Sequence, residues 1–223
     1  MIQYIMVFIL VFFYAHLYLH FLVNPNNQCS IVTNLTKEEI TDHVYQKQPF
    51  LLDATLFRKD ICLKNKSIET TRKSRVDTYS LEYDPVPSLE PYVRFYTHRT
   101  VLCGKKKRKW IESNDSCRTF YRVHKGSFHV TCIHPHKKEC IPKKDLKPLK
   151  KKEDLIHLTL HEDSLLFLPK DWNLYIEPLE EGSMLEKLQY YTPLNLLANT
   201  ISNIPKYIGD TISICSMKEP PFI

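Results

Sequence analysis

IHLTLHEDSLLFLPKDWNLYI, residues Ile156 to Ile176, encodes three successive β-strands. Ile156, Leu158 and Leu160 alternate with His157, Thr159 and His161, the period-2 pattern of a strand that buries one face. Glu162-Asp163-Ser164 is an acidic turn. The next run, Leu165 to Leu168, is apolar throughout, as a strand covered on both faces would be. Pro169-Lys170-Asp171 ends it by removing a ladder donor and bending the chain. Trp172 to Ile176 then reads as the return strand.

Upstream, Ser127 to Ile133 (SFHVTCI) is another alternating strand, with Phe128, Val130 and Cys132 on one face. Downstream, Leu188 to Tyr191 reads as a last strand. Pro193 to Asn203 reads as a short helix with proline in its first turn. Its apolar positions Leu194, Leu197, Ala198 and Ile201 follow i, i+3, i+4, i+7 and are expected to pack on the outside of the β-domain. Nearer the N-terminus, Thr36-Lys37-Glu38-Glu39 is a capping box that starts a helix to about Tyr45. Gln48-Pro49 then leads into a strand at Phe50-Leu51-Leu52, because proline imposes an extended conformation on Gln48. Asp60 to Asp84 is mostly polar and reads as irregular. Tyr92 to Leu102 fits either an edge strand or a buried segment.

Across 223 residues, 43% are hydrophobic and 25% charged, proportions of a folded chain whose core needs most of that length. The four glycines, Gly104, Gly126, Gly182 and Gly209, are too scattered to cradle a phosphate or a dinucleotide. Seven cysteines, Cys29, Cys62, Cys103, Cys117, Cys132, Cys140 and Cys215, are odd in number and too sparse for a disulfide-stapled scaffold.

Residues 2 to 23, IQYIMVFILVFFYAHLYLHFLV, carry no charge. As a helix they would extend roughly 33 Å, enough for a hydrocarbon core. The basic leader and small-residue cleavage site of a signal peptide are missing, so an uncleaved transmembrane anchor is expected. His16 and His20 near its end read as polar tips at the interface. Residues 24 to 35 form a polar spacer, 36 to 210 the β-domain and 211 to 223 a tail. Three sequons, at Asn34, Asn65 and Asn114, are candidate glycosylation sites if the body enters the secretory lumen. The first charged residue is Lys37, so the positive-inside rule has almost nothing to count on the N-terminal side, and the later lysines weigh only weakly towards a cytoplasmic body.

The formal charge of +6 comes mainly from Lys105, Lys106, Lys107, Arg108 and Lys109 and from a second run at Lys143-Lys144 and Lys147 to Lys152. Such runs attract phosphates, and on a tethered domain anionic lipid headgroups come first. Aromatic residues for base stacking are not interleaved, which disfavours nucleic acid. Cys132, His134, His136 and Cys140 supply soft ligands but lack the paired spacing of a zinc knuckle. His157 and His161 lie on a strand without an intervening base, a surface pattern.

FYRVHKGSFHVTCIHP (Phe120 to Pro135), followed by LLFLPKDW (Leu165 to Trp172) and preceded by QPFLL (Gln48 to Leu52), resembles the cupin-like, or Jumonji-type, double-stranded β-helix family over about residues 36 to 200. With its N-terminal anchor the chain is most similar to membrane-tethered cupin-like proteins of large DNA viruses. The resemblance implies a mainly β, degenerate cupin-like domain with short flanking helices after a transmembrane helix. Active members of the family bind ferrous iron through a His-x-Asp pair and a distal histidine, beside 2-oxoglutarate and oxygen. Counting from Gly126 carries the pair onto Ser113 and Asp115, and counting from Pro169 carries the distal histidine onto Leu174. Only Asp115 keeps a ligand type, so the resemblance implies lost chemistry, with no metal and no cofactor. The expected function is a single-pass, catalytically inactive binding or structural module of a viral or host membrane, with viral or host proteins as partners. The alternatives are an iron oxygenase with unusual ligands and a basic lipid- or nucleic-acid-binding module.

Overall fold

The computed structural model describes residues 2–32, 37–53, 75–80, 90–104, 109–140 and 155–203. The chain divides into two compact units, one of Met1–Leu22 with Pro193–Ile223 and one of Val23–Thr192.

In the first unit, α1 (Ile2–Phe21) covers the expected anchor as a helix of 20 residues. Its side chains from Gln3 to Ala15 are all exposed. Among the described residues no helix is long and apolar enough to cross a membrane. The side chains of Ile2, His16, Leu19, His20 and Phe21 are outside that description. The expected helix near the C-terminus forms at 193–203. Of the expected apolar stripe, Ala198 is buried and Leu194 half-buried, whereas Leu197 and Ile201 are exposed; Asn195 is the other buried position.

The second unit is mainly β. In chain order it contains β1 (Ser30–Val32), α2 (Lys37–Tyr45), β2 (Phe50–Asp53), β3 (Arg75–Ser80), β4 (Tyr96–Cys103), β5 (Trp110–Ser113), β6 (Arg118–Lys125), β7 (Phe128–Ile133), β8 (Ile156–Leu160), β9 (Ser164–Leu168), β10 (Asn173–Pro178) and β11 (Met184–Tyr191). The strands form a seven-stranded sheet, β1-β2-β9-β6-β11-β4-β3, and a four-stranded sheet, β5-β10-β7-β8.

One rule generates most of this order. β7 pairs antiparallel with β8, β6 with β9, β5 with β10 and β4 with β11. The chain from β4 to β11 is therefore one long antiparallel ribbon, folded over so that its strand pairs alternate between two sheets. Pairing of β6 with β11 and of β7 with β10 closes the winding. This is the order of an eight-stranded jelly roll, consistent with a cupin-like β-sandwich.

Alternation along each strand sorts its side chains. Between the sheets lie Leu102, Tyr121, Val123, Phe128, Val130, Cys132, Leu160, Leu166, Leu168, Trp172, Leu174, Ile176 and Leu185. On the outer face of the larger sheet, Ile40 and Val44 of α2 cover Phe50, Leu52, Phe120, Leu165, Phe167, Leu188 and Tyr190.

Three expectations change. The spacer contains β1, which pairs parallel with β2. The region read as irregular contains β3, paired with β4. Tyr92 to Leu102 divides: Tyr92, Val93 and Phe95 are exposed and precede β4, whereas Thr97, Thr100, Val101 and Leu102 are buried in a strand paired on both sides rather than at an edge.

Phe167 sits between the rings of Phe50 and Phe120, with centroids 5.1 and 5.2 Å away, and is almost fully buried. Replacing it with alanine leaves a cavity that two strands and α2 cannot all close. The substitution Phe167→Ala is expected to cost about 3–5 kcal/mol, read as a lower urea midpoint at unchanged slope.

Candidate functional site

In register, Leu174 of β10 stands opposite Glu112 of β5, and Asn173 stands opposite Ser113. Leu174 is fully buried between the sheets. Along β5 and the turn after it, Glu112 and Asn114 are buried while Ser113 and Asp115 are exposed. The pair expected at Ser113 and Asp115 is thus one residue out of phase, and in a strand one residue exchanges the faces. The interior positions are Glu112 and Asn114.

Both are committed. The Glu112 carboxylate receives a hydrogen bond from Lys187 Nζ at 3.0 Å, and the two form a buried ion pair. Lys187 comes from β11 of the other sheet. Its ammonium also donates to the Ser113 carbonyl at 3.3 Å and lies 5.9 Å from the ring centre of Tyr121. Asn114 Nδ2 donates to the carbonyls of Leu168 at 2.9 Å and Pro169 at 2.7 Å. Asn114 Oδ1 accepts from Ser116 Oγ and N and from Thr119 Oγ1. The interior set is therefore a carboxylate neutralised by a lysine, a carboxamide engaged at both ends, and a hydrocarbon. It does not fit a ferrous ion, whose open site needs imidazole and free carboxylate donors. Among the described residues, no three His, Cys, Asp or Glu side chains group to hold a metal.

Asp115 lies at the end of the sandwich formed by the start of β4 and the end of β11. It accepts a hydrogen bond from Tyr191 Oη at 2.8 Å, and that hydroxyl accepts from Gln189 Nε2 at 3.2 Å. Burial, then the Asp115 carboxylate, holds the Tyr191 phenol far above its ordinary value, so it remains a donor. Its ring stacks on Tyr96 at 4.5 Å.

The outer face of β11 carries the opposite charge. Glu186 is buried between Arg99 of β4 and His124 of β6, with His124 Nε2 2.6 Å from its carboxylate and Arg99 in direct contact. Burial alone would raise the carboxyl's affinity for a proton. The His124 hydrogen bond and the Arg99 charge outweigh it and hold the group below its ordinary value.

The remaining sequence candidates are dispersed. Lys109 pairs with Glu177 at 2.9 Å, while Lys105, Lys106, Lys107 and Arg108 lie outside the described residues. Asn34 and Asn65 also lie outside them. The Asn114 nitrogen that a glycan would occupy is buried against two carbonyls, so the folded domain has no room for a sugar there. His129 and His157 are neighbours with parallel rings 5.9 Å apart, on the face of the smaller sheet away from the interior. Cys29, Cys103, Cys117 and Cys132 are free thiols, and burial pushes Cys29 and Cys117 up to about 11, which makes them poor nucleophiles.

Sequence reasoning missed Glu112, Lys187 and Glu186. The available signal was Leu185-Glu186-Lys187-Leu188, two opposite charges side by side in a run otherwise fit for a strand buried on both faces.

No protein-family model matches the chain, and no curated protein matches it. Among solved structures it is similar to BH2720 from Bacillus halodurans, at 11% identity and TM-score 0.32 over 43% of this chain and 62% of that one. The oxalate decarboxylase formate complex of Lactobacillus farciminis aligns at 6% identity and TM-score 0.32 over 45% and 25%. Hydroxypropylphosphonic acid epoxidase from S. wedmorenis, in complex with fosfomycin, aligns at 9% and TM-score 0.29 over 42% of each chain. The match spans less than two thirds of each of these proteins.

Two outcomes are expected from the buried charges. Lys187→Met strands the Glu112 carboxylate and is expected to cost about 3–5 kcal/mol, whereas adding Glu112→Leu recovers most of the loss, a coupling visible in a double-mutant cycle of urea midpoints. For Glu186 the folded value lies below the unfolded one of about 4.3. Its contribution is therefore complete above that pH and is lost as pH falls through the folded value. Between about pH 5 and pH 3, wild type should lose more of its urea midpoint than Glu186→Gln does.

Proposed function

We propose that this chain is a membrane-tethered, non-catalytic cupin-like module. It would act by binding a protein partner, or as a structural part of a viral particle or of a membrane that the virus remodels. The observation that carries the non-catalytic reading is the Glu112–Lys187 pair, set opposite Leu174 where the resembled family would hold its metal. Ionised lysine repels a cation, and removing Glu112 from it to ligate a metal would leave that lysine buried and unpaired. Near the pair lie the large side chains of Tyr121, 5.9 Å from the Lys187 ammonium, and Trp172, both almost fully buried. The viral setting rests on the resemblance alone.

The tether is supported by α1. It is 20 residues long, contains no charged residue, and exposes Tyr4 to Tyr14 on every face. A helix apolar all round is stable in water only if something covers it. Its described part falls short of a span, and the tether is read from the whole uncharged 2–23 sequence, roughly 33 Å long as a helix.

The full chain, reconstituted into phosphatidylcholine vesicles and loaded anaerobically with ferrous iron, tests both parts. Membrane retention through alkaline carbonate, with no stoichiometric iron and no 2-oxoglutarate binding, is the expected result. Stoichiometric iron together with 2-oxoglutarate would make the chain an oxygenase, and release by carbonate would remove the tether.

A further inference from the structure

We infer that Tyr45, Tyr92, Val93 and Phe95 form a second membrane contact, an aromatic platform lying at the headgroup level of a phosphatidylcholine-type bilayer. The inference rests on the tether proposed above and adds the face that the sandwich turns towards the bilayer.

Tyr92 is 97% exposed, Tyr45 67%, Val93 63% and Phe95 56%. Three large apolar side chains within four residues, outside any strand, are a costly surface for a soluble domain. Tyrosine and phenylalanine suit a bilayer interface, where the ring reaches hydrocarbon and the hydroxyl stays wet. The segment is also held in place rather than loose. Arg118 donates to the Glu90 carbonyl at 2.7 Å, Arg94 pairs with Glu90, and Phe95 N donates to the Tyr191 carbonyl at 2.8 Å.

Strand register places this segment at the end of the sandwich where the chain enters it. The aromatic run precedes β4, whose first residue stands opposite Tyr191, the last of β11. The same end carries the start of β6, with Arg118 opposite Tyr190, and the start of β2, with Phe50 opposite Phe167 near the end of β9. The chain enters this unit at Val23, and Asn24 is fixed at once. Its Nδ2 donates to the Gln46 carbonyl at 2.7 Å, immediately after Tyr45, and its own carbonyl lies 2.8 Å from His134 Nε2, just past the end of β7. Asn24 directly follows the apolar 2–23 segment in sequence, so a bilayer that takes up the helix must come close to this end.

Gly104 lies at the other end of β4, eight residues or roughly 27 Å from Tyr96. Leu179, 45% exposed, marks that far end, its N–H donating to the Ser127 carbonyl in the turn before β7.

The full chain is reconstituted in phosphatidylcholine vesicles with brominated acyl chains, as Tyr92→Trp and, separately, Leu179→Trp. Emission added over the wild-type background of Trp110 and Trp172 is recorded. The expected result is a blue-shifted added emission for Tyr92→Trp that bromines placed near the headgroup quench most strongly, with the added emission of Leu179→Trp unquenched. Quenching at Leu179 alone, at both sites or at neither overturns the inference if the protein still resists alkaline carbonate, which leaves the tether standing. Release by carbonate instead overturns the tether and the inference with it.

Discussion

The nested pairing of one antiparallel ribbon is the constraint from which the rest of this domain follows. Once Phe128 stands opposite Leu160, and Cys132 opposite Ile156, the direction and phase of every earlier and later strand are set by the pairs outside them. Each strand has a period of two, so phase decides which half of its side chains enters the interior. Asn114 then locks the winding where two arms of the ribbon meet. Its side chain ties the turn between β5 and β6 to the carbonyls that end β9, and its own carbonyl accepts from Asp171 N at 2.8 Å. A backbone already bent by Pro169, with Asp171 at a φ of 69°, is held there by bonds from across the sandwich.

β11 shows how charge enforces that phase. It is buried on both faces, yet it carries Glu186 outward to Arg99 and His124 and Lys187 inward to Glu112. A slip of one residue would bring Glu186 inside against Glu112 and set Lys187 outside against Arg99. Both encounters would be like-charge and poorly solvated, whereas a slip in an all-apolar strand would cost only packing. A buried ion pair adds little net stability against a hydrophobic isostere, but it penalises the wrong register heavily. The Lys187 contact also links the two sheets through their interior, a cross-link that hydrocarbon side chains alone do not specify.

Where local pattern and final environment agree, the sequence was legible. β7, β8 and β9 alternate or run apolar between strong turn signals, and the helix after the capping box and the strand after Gln48-Pro49 appear where expected. β5, only four residues long, went unread, and three further stretches were hidden for physical reasons. β1 is three residues stabilised by its parallel partner, β3 is the polar run RVDTYS paired to β4, and the first half of β11 is masked by adjacent charges. The interior pair was missed by one residue because counting back from Gly126 crosses the β5–β6 turn, whose length no residue type announces. The wrap of β6 against β11 also contains a register shift at Met184 and Leu185. Face assignment needed the observed pairing of Leu174 with Glu112. Spacing alone could not supply it.

The two ends of the sandwich differ in kind, and the difference follows from where polar groups sit along the strands. At the end where the chain enters, interior side chains become polar: Lys187, Gln189 and Tyr191 follow Leu185 along β11, with Thr119 beside Tyr121 on β6. Those groups satisfy one another through Glu112, Asn114 and Asp115 rather than pointing at an empty centre. Here their geometry is spent internally, on holding β5, β6, β9 and β11 together at that end. At the entry end the outer surface presents exposed aromatic rings, in a segment fixed to the same strands that the buried network holds.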